Sequence, residues 1–265
     1  MKKSFYPFVA GFLCIILISF QTSYAQTSWK GTTSTNWSTT SNWTAGVPTS
    51  TVDAIIGDAN FTGVNQPTIS GTANCKSLTI GGTRASALTI NRSTTVAANL
   101  QINGNGTITH TSNSLTVKGN WINNGTYSAT GTRSNVIFAG VAQALQGSVV
   151  TTFRKLTINA GSVTTLNTNV TVSGSSSRCT VKGTLDPNES PTYKLTGTTF
   201  NVNANAIIKV KGAVFTDNYS NSGTVTLSSN STVNYAGTTI NQTISNAYTY
   251  STLTISGAGI KSLSG

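Results

Sequence analysis

The sequence predicts an all-β chain: a right-handed parallel β-helix, or β-solenoid, with a Trp-rich N-terminal cap. Three observations carry this. Short runs such as Leu78-Thr79-Ile80, Leu88-Thr89-Ile90, Leu156-Thr157-Ile158 and Leu253-Thr254-Ile255 recur along the chain. Each alternates apolar and polar residues with the period of two that puts its aliphatics on one face of a strand and Thr on the other. Strand starts also fall at a coil-like spacing: Leu78 to Leu100, and Val136 to Leu156, each fit one turn of roughly 20–25 residues. Finally, a longer unit repeats. Val136, Phe138, Gly140, Gln143, Phe153 and Leu156 reappear as Val233, Tyr235, Gly237, Gln242, Tyr250 and Leu253 at an offset of about 97 residues, with a slip only at the glutamine. Upstream, the run from Trp121 to Thr126 is echoed from Tyr219 to Thr224. Repeats of this kind mark solenoids and arrays.

Composition agrees. Only 8% of the residues are charged, against about 25% in an ordinary globular domain. Thr, Ser and Asn take their place, and β-branched Thr suits the outer wall of a strand. Helical spacing is absent, and Gly- and Asn-rich turns such as Gly81-Gly82, Asn103 to Gly106 and Asp186-Pro187-Asn188 separate the runs. Tandem β-sandwiches are the alternative, since about seven strands per hundred residues would also fit. The very short strands and the lack of a linker favour the solenoid.

In chain order, residues 1–25 read as a secretory signal peptide. Lys2 and Lys3 precede an apolar run from Phe8 to Phe20, and Ala25 precedes the expected cut. No membrane insertion is expected after cleavage. Cys14 follows Leu13, not the small residue that lipidation needs. Residues 26–60 form the Trp-rich segment: Trp29, Trp37 and Trp43 fall within fifteen residues, out of 4 Trp in the chain. They are expected to lid the first coil, which has no neighbour on one side; a sugar-binding aromatic platform is the competing reading. Residues 61–265 are the solenoid proper, each copy of the repeat being about four coils. The second copy stops at Gly265, one strand short of the first, so the chain reads as truncated at its C-terminus. Cys75 and Cys179 sit several coils apart, beyond the ~7 Å reach of a disulfide, and are expected to be two separately buried thiols.

Little catalytic chemistry is visible. His110, the single histidine, is expected to point outward. The acids are Asp53, Asp58, Asp186, Glu189 and Asp217, where glycoside hydrolysis needs two carboxylates within ~5–10 Å. Asp186 and Glu189 share a turn and are expected to cap a loop; Asp53 and Asp58 flank one strand. No P-loop, nucleophile elbow, zinc spacing or calcium-loop repeat is present, and no cofactor is expected. Net charge is +11, but the basic residues, Arg84, Arg92, Lys118, Arg133, Arg154, Lys155, Lys182 and Lys209 among them, are scattered. A nucleic-acid footprint needs a stripe or patch, so no nucleic acid is expected. Thr-x-Thr pairs such as Thr107/Thr109 suggest an ice-binding ladder only if they hold the same place in each coil, and their spacing drifts.

The Asn-Trp…Asn-Trp…Gly-x-Pro opening (Asn36-Trp37, Asn42-Trp43, Gly46 to Pro48), the repeated Leu-Thr-Ile rungs, the 97-residue unit and the Gly259 to Leu263 tail resemble large secreted surface proteins of Bacteroidetes-type bacteria. The resemblance implies an adhesin-like or structural β-helical rod of the type IX secretion family, displayed at the cell surface. It carries no catalytic residue over, and the sorting domain of such proteins does not follow here. The chain is therefore expected to be a non-enzymatic, secreted or cell-surface rod whose partner is carbohydrate or another cell surface. The alternative is a carbohydrate-binding region of a larger polysaccharide-active protein. Tyr193, Tyr219 and Tyr248 are the candidate ligand-contact aromatics, provided they line up on one face.

Overall fold

The structure is a computed structural model describing residues 25–189 and 192–265; the expected leader lies outside these apart from Ala25. Its strands are short and pair in parallel with strands one coil away, which makes the chain a parallel β-solenoid of about 10 turns. Each coil has three faces. The first is an 11-stranded sheet from Gln26–Ser28 to Thr252–Ile255. From Ala54 onward its register partners lie 20 to 25 residues apart, as with Leu78↔Leu100 and Ile207↔Thr232. The second face begins as Thr68–Ile69, Ser86–Ile90, Gly106–His110 and Thr126–Ala129. The third runs through Ala73–Cys75, Thr94–Val96, Ser114–Val117, Asn135–Phe138, Lys155–Ile158 and Arg178–Val181. At the far end, the long strands Leu195–Val202 and Tyr219–Leu227 run through a corner and join the second and third faces into one sheet.

Period-two alternation fills the interior. On the third face, Leu115, Val136, Leu156, Cys179 and Phe200 stack as one column, and Cys75, Val96, Val117, Phe138, Ile158, Val181 and Val202 as the next; all are buried. Each fully buried aliphatic contributes about 1.5–3 kcal/mol, so the rod is held by ladders rather than by one globular centre. The two thiols are free and buried in different columns. Burial pushes the Cys75 thiol up to about 12 and raises that of Cys179 too. Both therefore stay protonated and pack as small apolar groups.

The repeat is real in three dimensions, but it is not a whole number of coils. Gln143 Oε1 accepts the Gly140 N–H at 2.6 Å, and its amide nitrogen donates to the carbonyls of Val117 (2.9 Å) and Gly119 (2.5 Å). Gln242 does the same with Gly237 (2.8 Å), Val210 (2.9 Å) and Gly212 (2.7 Å). Yet Val136 lies on the third face and Val233 on the first. Likewise Trp121 lies on the first and Tyr219 on the second, and Thr126 on the second and Thr224 on the third. The second copy sits one face further round, so each copy advances by four coils plus one face. The apolar Ala213-Val214-Phe215 run, whose residue types suit a strand, leads instead into a short helix, Phe215–Asn218, at one corner. Asp217 accepts the Val214 N–H at 3.0 Å, and Asn218 Oδ1 accepts the N–H groups of Lys211 and Gly212. These local bonds satisfy the corner's donors and outweigh its apolar strand pattern. Asp186-Pro187, read as turn, ends a strand, Thr184–Pro187, with Pro187 paired to Leu166.

At the N-terminal end Trp29, Trp37 and Trp43 are all buried. Trp29 and Trp37 meet Trp43 edge-on, with ring centroids 5.1 and 4.8 Å away. The Trp29 indole donates to the Asn65 carbonyl and that of Trp43 to the Trp37 carbonyl, both at 2.7 Å. At the other end Leu253 and Ile255 continue the inward columns of Val233 and Tyr235, and Leu263 that of Ile244. There Ile255 is 58% and Leu263 77% exposed.

Candidate functional site

The three candidate tyrosines do not form a platform. Tyr219 is 1% exposed. It stacks on Phe200 with centroids 5.1 Å apart, and its hydroxyl donates to the Lys209 carbonyl at 2.7 Å. As the counterpart of buried Trp121 it is a core residue, and burial raises its pKa well above the usual value. Tyr248 is half-buried over Phe215, centroids 4.4 Å apart, and Tyr193 is half-buried against the core. Tyr248, Phe215, Tyr219 and Phe200 form a chain of ring contacts that leads inward from the corner, so the buried Tyr219 cannot share an outer face with the other two.

His110 also differs from expectation. It faces inward in the Ile90 column and is fully buried. Nδ1 lies 2.8 Å from the Tyr127 hydroxyl and Nε2 3.0 Å from the Ser112 carbonyl. A carbonyl can only accept, so Nε2 carries the proton and Nδ1 accepts from Tyr127. Burial pulls the pKa down to about 4, against the smaller upward pull of its backbone bonds to Ser112 and Asn113. The imidazole is thus a neutral structural bridge between coils. Its orientation follows from strand parity, because His110 is two residues from inward Ile108.

The acids are engaged separately. Asp53 pairs with Lys76 (3.4 Å), and Asp186 with Lys209 (2.6 Å) and Lys211 (3.5 Å), across neighbouring rungs. Asp58 accepts from the Ser28 hydroxyl at 2.6 Å, and Asp217 serves the helix start. Glu189 straps two coils together: its carboxylate accepts N–H and hydroxyl bonds from both Thr238 and Thr239 at 2.6–2.9 Å. Desolvation raises its pKa, but these bonds jointly outweigh it and hold it at about 2. Among the described residues no three His, Cys, Asp or Glu side chains converge as a metal site.

Hydroxyls do keep register. Thr68, Thr89, Thr109 and Ser128 form a column on the second face, with Thr152, Thr171, Thr196 and Ser220 in a further series. The drift in sequence spacing is absorbed at the corners, not on the faces. Beside the second-face column, Thr107 and Thr126 stand in register as a second hydroxyl pair, next to Ala87.

The outer wall of the third face offers a more distinctive arrangement. A groove of about 400 Å³ is lined by Asn135, Ile137, Thr157, Asn159, Arg178, Thr180, Lys182, Asn201 and Asn203. These are the outward residues of four successive rungs. Lys155 is the register partner of Arg178 on the rung below. Among the described residues, Lys155, Arg178 and Lys182 have no ion-pair partner, and no carboxylate lines the groove. Along the sequence Lys155 and Lys182 look like scattered charges, and nothing local distinguishes Arg178. Stepping one coil from Lys155 lands on Arg178, which is the signal that would have gathered them.

Comparison with family models, with curated proteins and with solved structures finds no match for this chain.

Proposed function

We propose that the chain is a non-enzymatic, exported structural or adhesin-like rod whose outer walls contact carbohydrate or another cell surface. The observation that supports this most is the architecture itself: about 10 coils stacked in one direction, closed inside and walled mostly by uncharged Thr, Asn and Ser. At ~4.8 Å per rung, such a stack spans on the order of 50 Å. The carboxylates are spent on pairs, caps and a strap, which leaves the outer walls to binding and extension. The Lys2-Lys3 and Phe8 to Phe20 pattern supports export, and the resemblance to Bacteroidetes-type repeat proteins supports surface display. Two measurements test the reading. N-terminal sequencing of exported protein should begin at Gln26, and antibodies to residues 26–265 should label intact cells. Retention of the full-length chain in the cytoplasm, or turnover of polysaccharide by purified protein, would overturn it.

A further inference from the structure

We infer that the groove on the third face is a binding site for an acidic polysaccharide, a linear glycan carrying carboxylates, lying across the rungs. The inference rests on the surface-rod reading only for where such a polymer is met. Three cations frame the site. Lys155 and Arg178 are neighbours on adjacent rungs, at one edge of the face. Lys182 lies four residues along from Arg178, at the other edge. Like charges one rung apart repel, and Lys155 and Arg178 have no acid beside them to relieve it, unlike Lys76, Lys209 and Lys211. A polyanion would relieve it. Between the two edges runs the column Ile137, Thr157, Thr180 and Asn201, and the amides of Asn135, Asn159 and Asn203 flank it. Amides and hydroxyls both donate and accept, which suits sugar hydroxyls. The rung repeat of ~4.8 Å is close to the length of one sugar in an extended glycan, so successive sugars meet successive rungs. No aromatic ring lines the groove, and single-stranded nucleic acid relies on such rings for base stacking; a glycan is therefore the better fit.

The test is titration of the purified chain with an oligogalacturonate, a neutral cello-oligosaccharide of equal length and an oligodeoxythymidylate. The oligogalacturonate should bind most tightly, and raising the salt should weaken it. The triple variant Lys155→Gln/Arg178→Gln/Lys182→Gln should lose about tenfold, since each exposed ion pair is worth a few-fold at most. Lys30→Gln, a charge removed at the N-terminal coil, should change nothing. The three residues are solvent-facing, so an unchanged thermal melt will show that the variant is folded. No binding by the wild-type chain, equal binding of the neutral oligosaccharide, undiminished binding by the triple variant, or tighter binding of the oligodeoxythymidylate would each overturn the inference. Export and cell labelling are read separately, so the rod reading can stand if this site fails.

Discussion

Acidification should weaken this rod through a single imidazole. His110 is held neutral, with its pKa lowered from 6.5 to about 4 by burial. Between those values the unfolded chain binds a proton that the folded chain refuses, so stability is fully present above about pH 6.5 and falls as pH drops toward 4. The two values correspond to about 2 kcal/mol lost by pH 5 and about 3 kcal/mol by pH 4. The comparison chain is His110→Gln, whose amide can donate to the Ser112 carbonyl and accept from Tyr127 without titrating. Denaturant melts of both chains from pH 7 to pH 5, followed by tryptophan fluorescence and circular dichroism, measure the difference. The window stays above 4.5, where Glu189 begins to matter, and every other acid is common to both chains. The chain has one histidine, so an imidazole NMR titration of untagged protein reports the same group directly. Parallel stability curves for the two chains, or an imidazole that titrates near 6.5, would refute the reasoning.

Other outcomes follow from the corners, the strap and the core. Gln143→Leu leaves the Gly140 N–H and the Gly119 carbonyl without the Gln143 amide, while the Val117 carbonyl keeps the Ala139 N–H, at a cost of about 1–3 kcal/mol; Gln242→Leu should loosen its own corner in the same way, read by amide exchange at Gly237. Glu189→Gln should speed exchange at the Thr238 and Thr239 amides, and the wild-type chain should show the same loosening as pH falls from 4.5 toward 2, because its lowered pKa makes the strap's contribution vanish there. Trp121→Ala empties the cluster formed with Tyr127, Phe138 and Phe153 and should cost about 3–5 kcal/mol in a melt. Gly131→Ala would drive a Cβ into the Thr111 carbonyl and should lower the melting temperature, whereas Gly71→Ala, in open space, should not.

Much of the fold was legible because alternation does two tasks at once. It marks Leu78 and Ile80 as inward, and it repeats at coil spacing, so strand, face and stack follow from one pattern. What misled was residue type taken without position. Tyr219 reads as an exposed ring until it is placed opposite Trp121, and His110 reads as a surface residue until it is counted from Ile108. The helix at Phe215 was hidden because Asn218 and Asp217 satisfy the backbone locally, which apolar periodicity does not report. The candidate groove was harder still. Lys155, Arg178 and Lys182 are remote or unremarkable neighbours in sequence, and only the register of neighbouring rungs places them on one wall.

The offset between the two copies of the repeat decides where a copied feature points. A duplication that closed on whole coils would put each copied feature directly above its parent, building a stripe down one side. Here Val136 returns as Val233 one face away, so copying winds features around the axis like a screw thread. Extending such a rod by further copies would present the same motif in three directions in turn. A rod of this kind would carry the copied motif on every side of its axis.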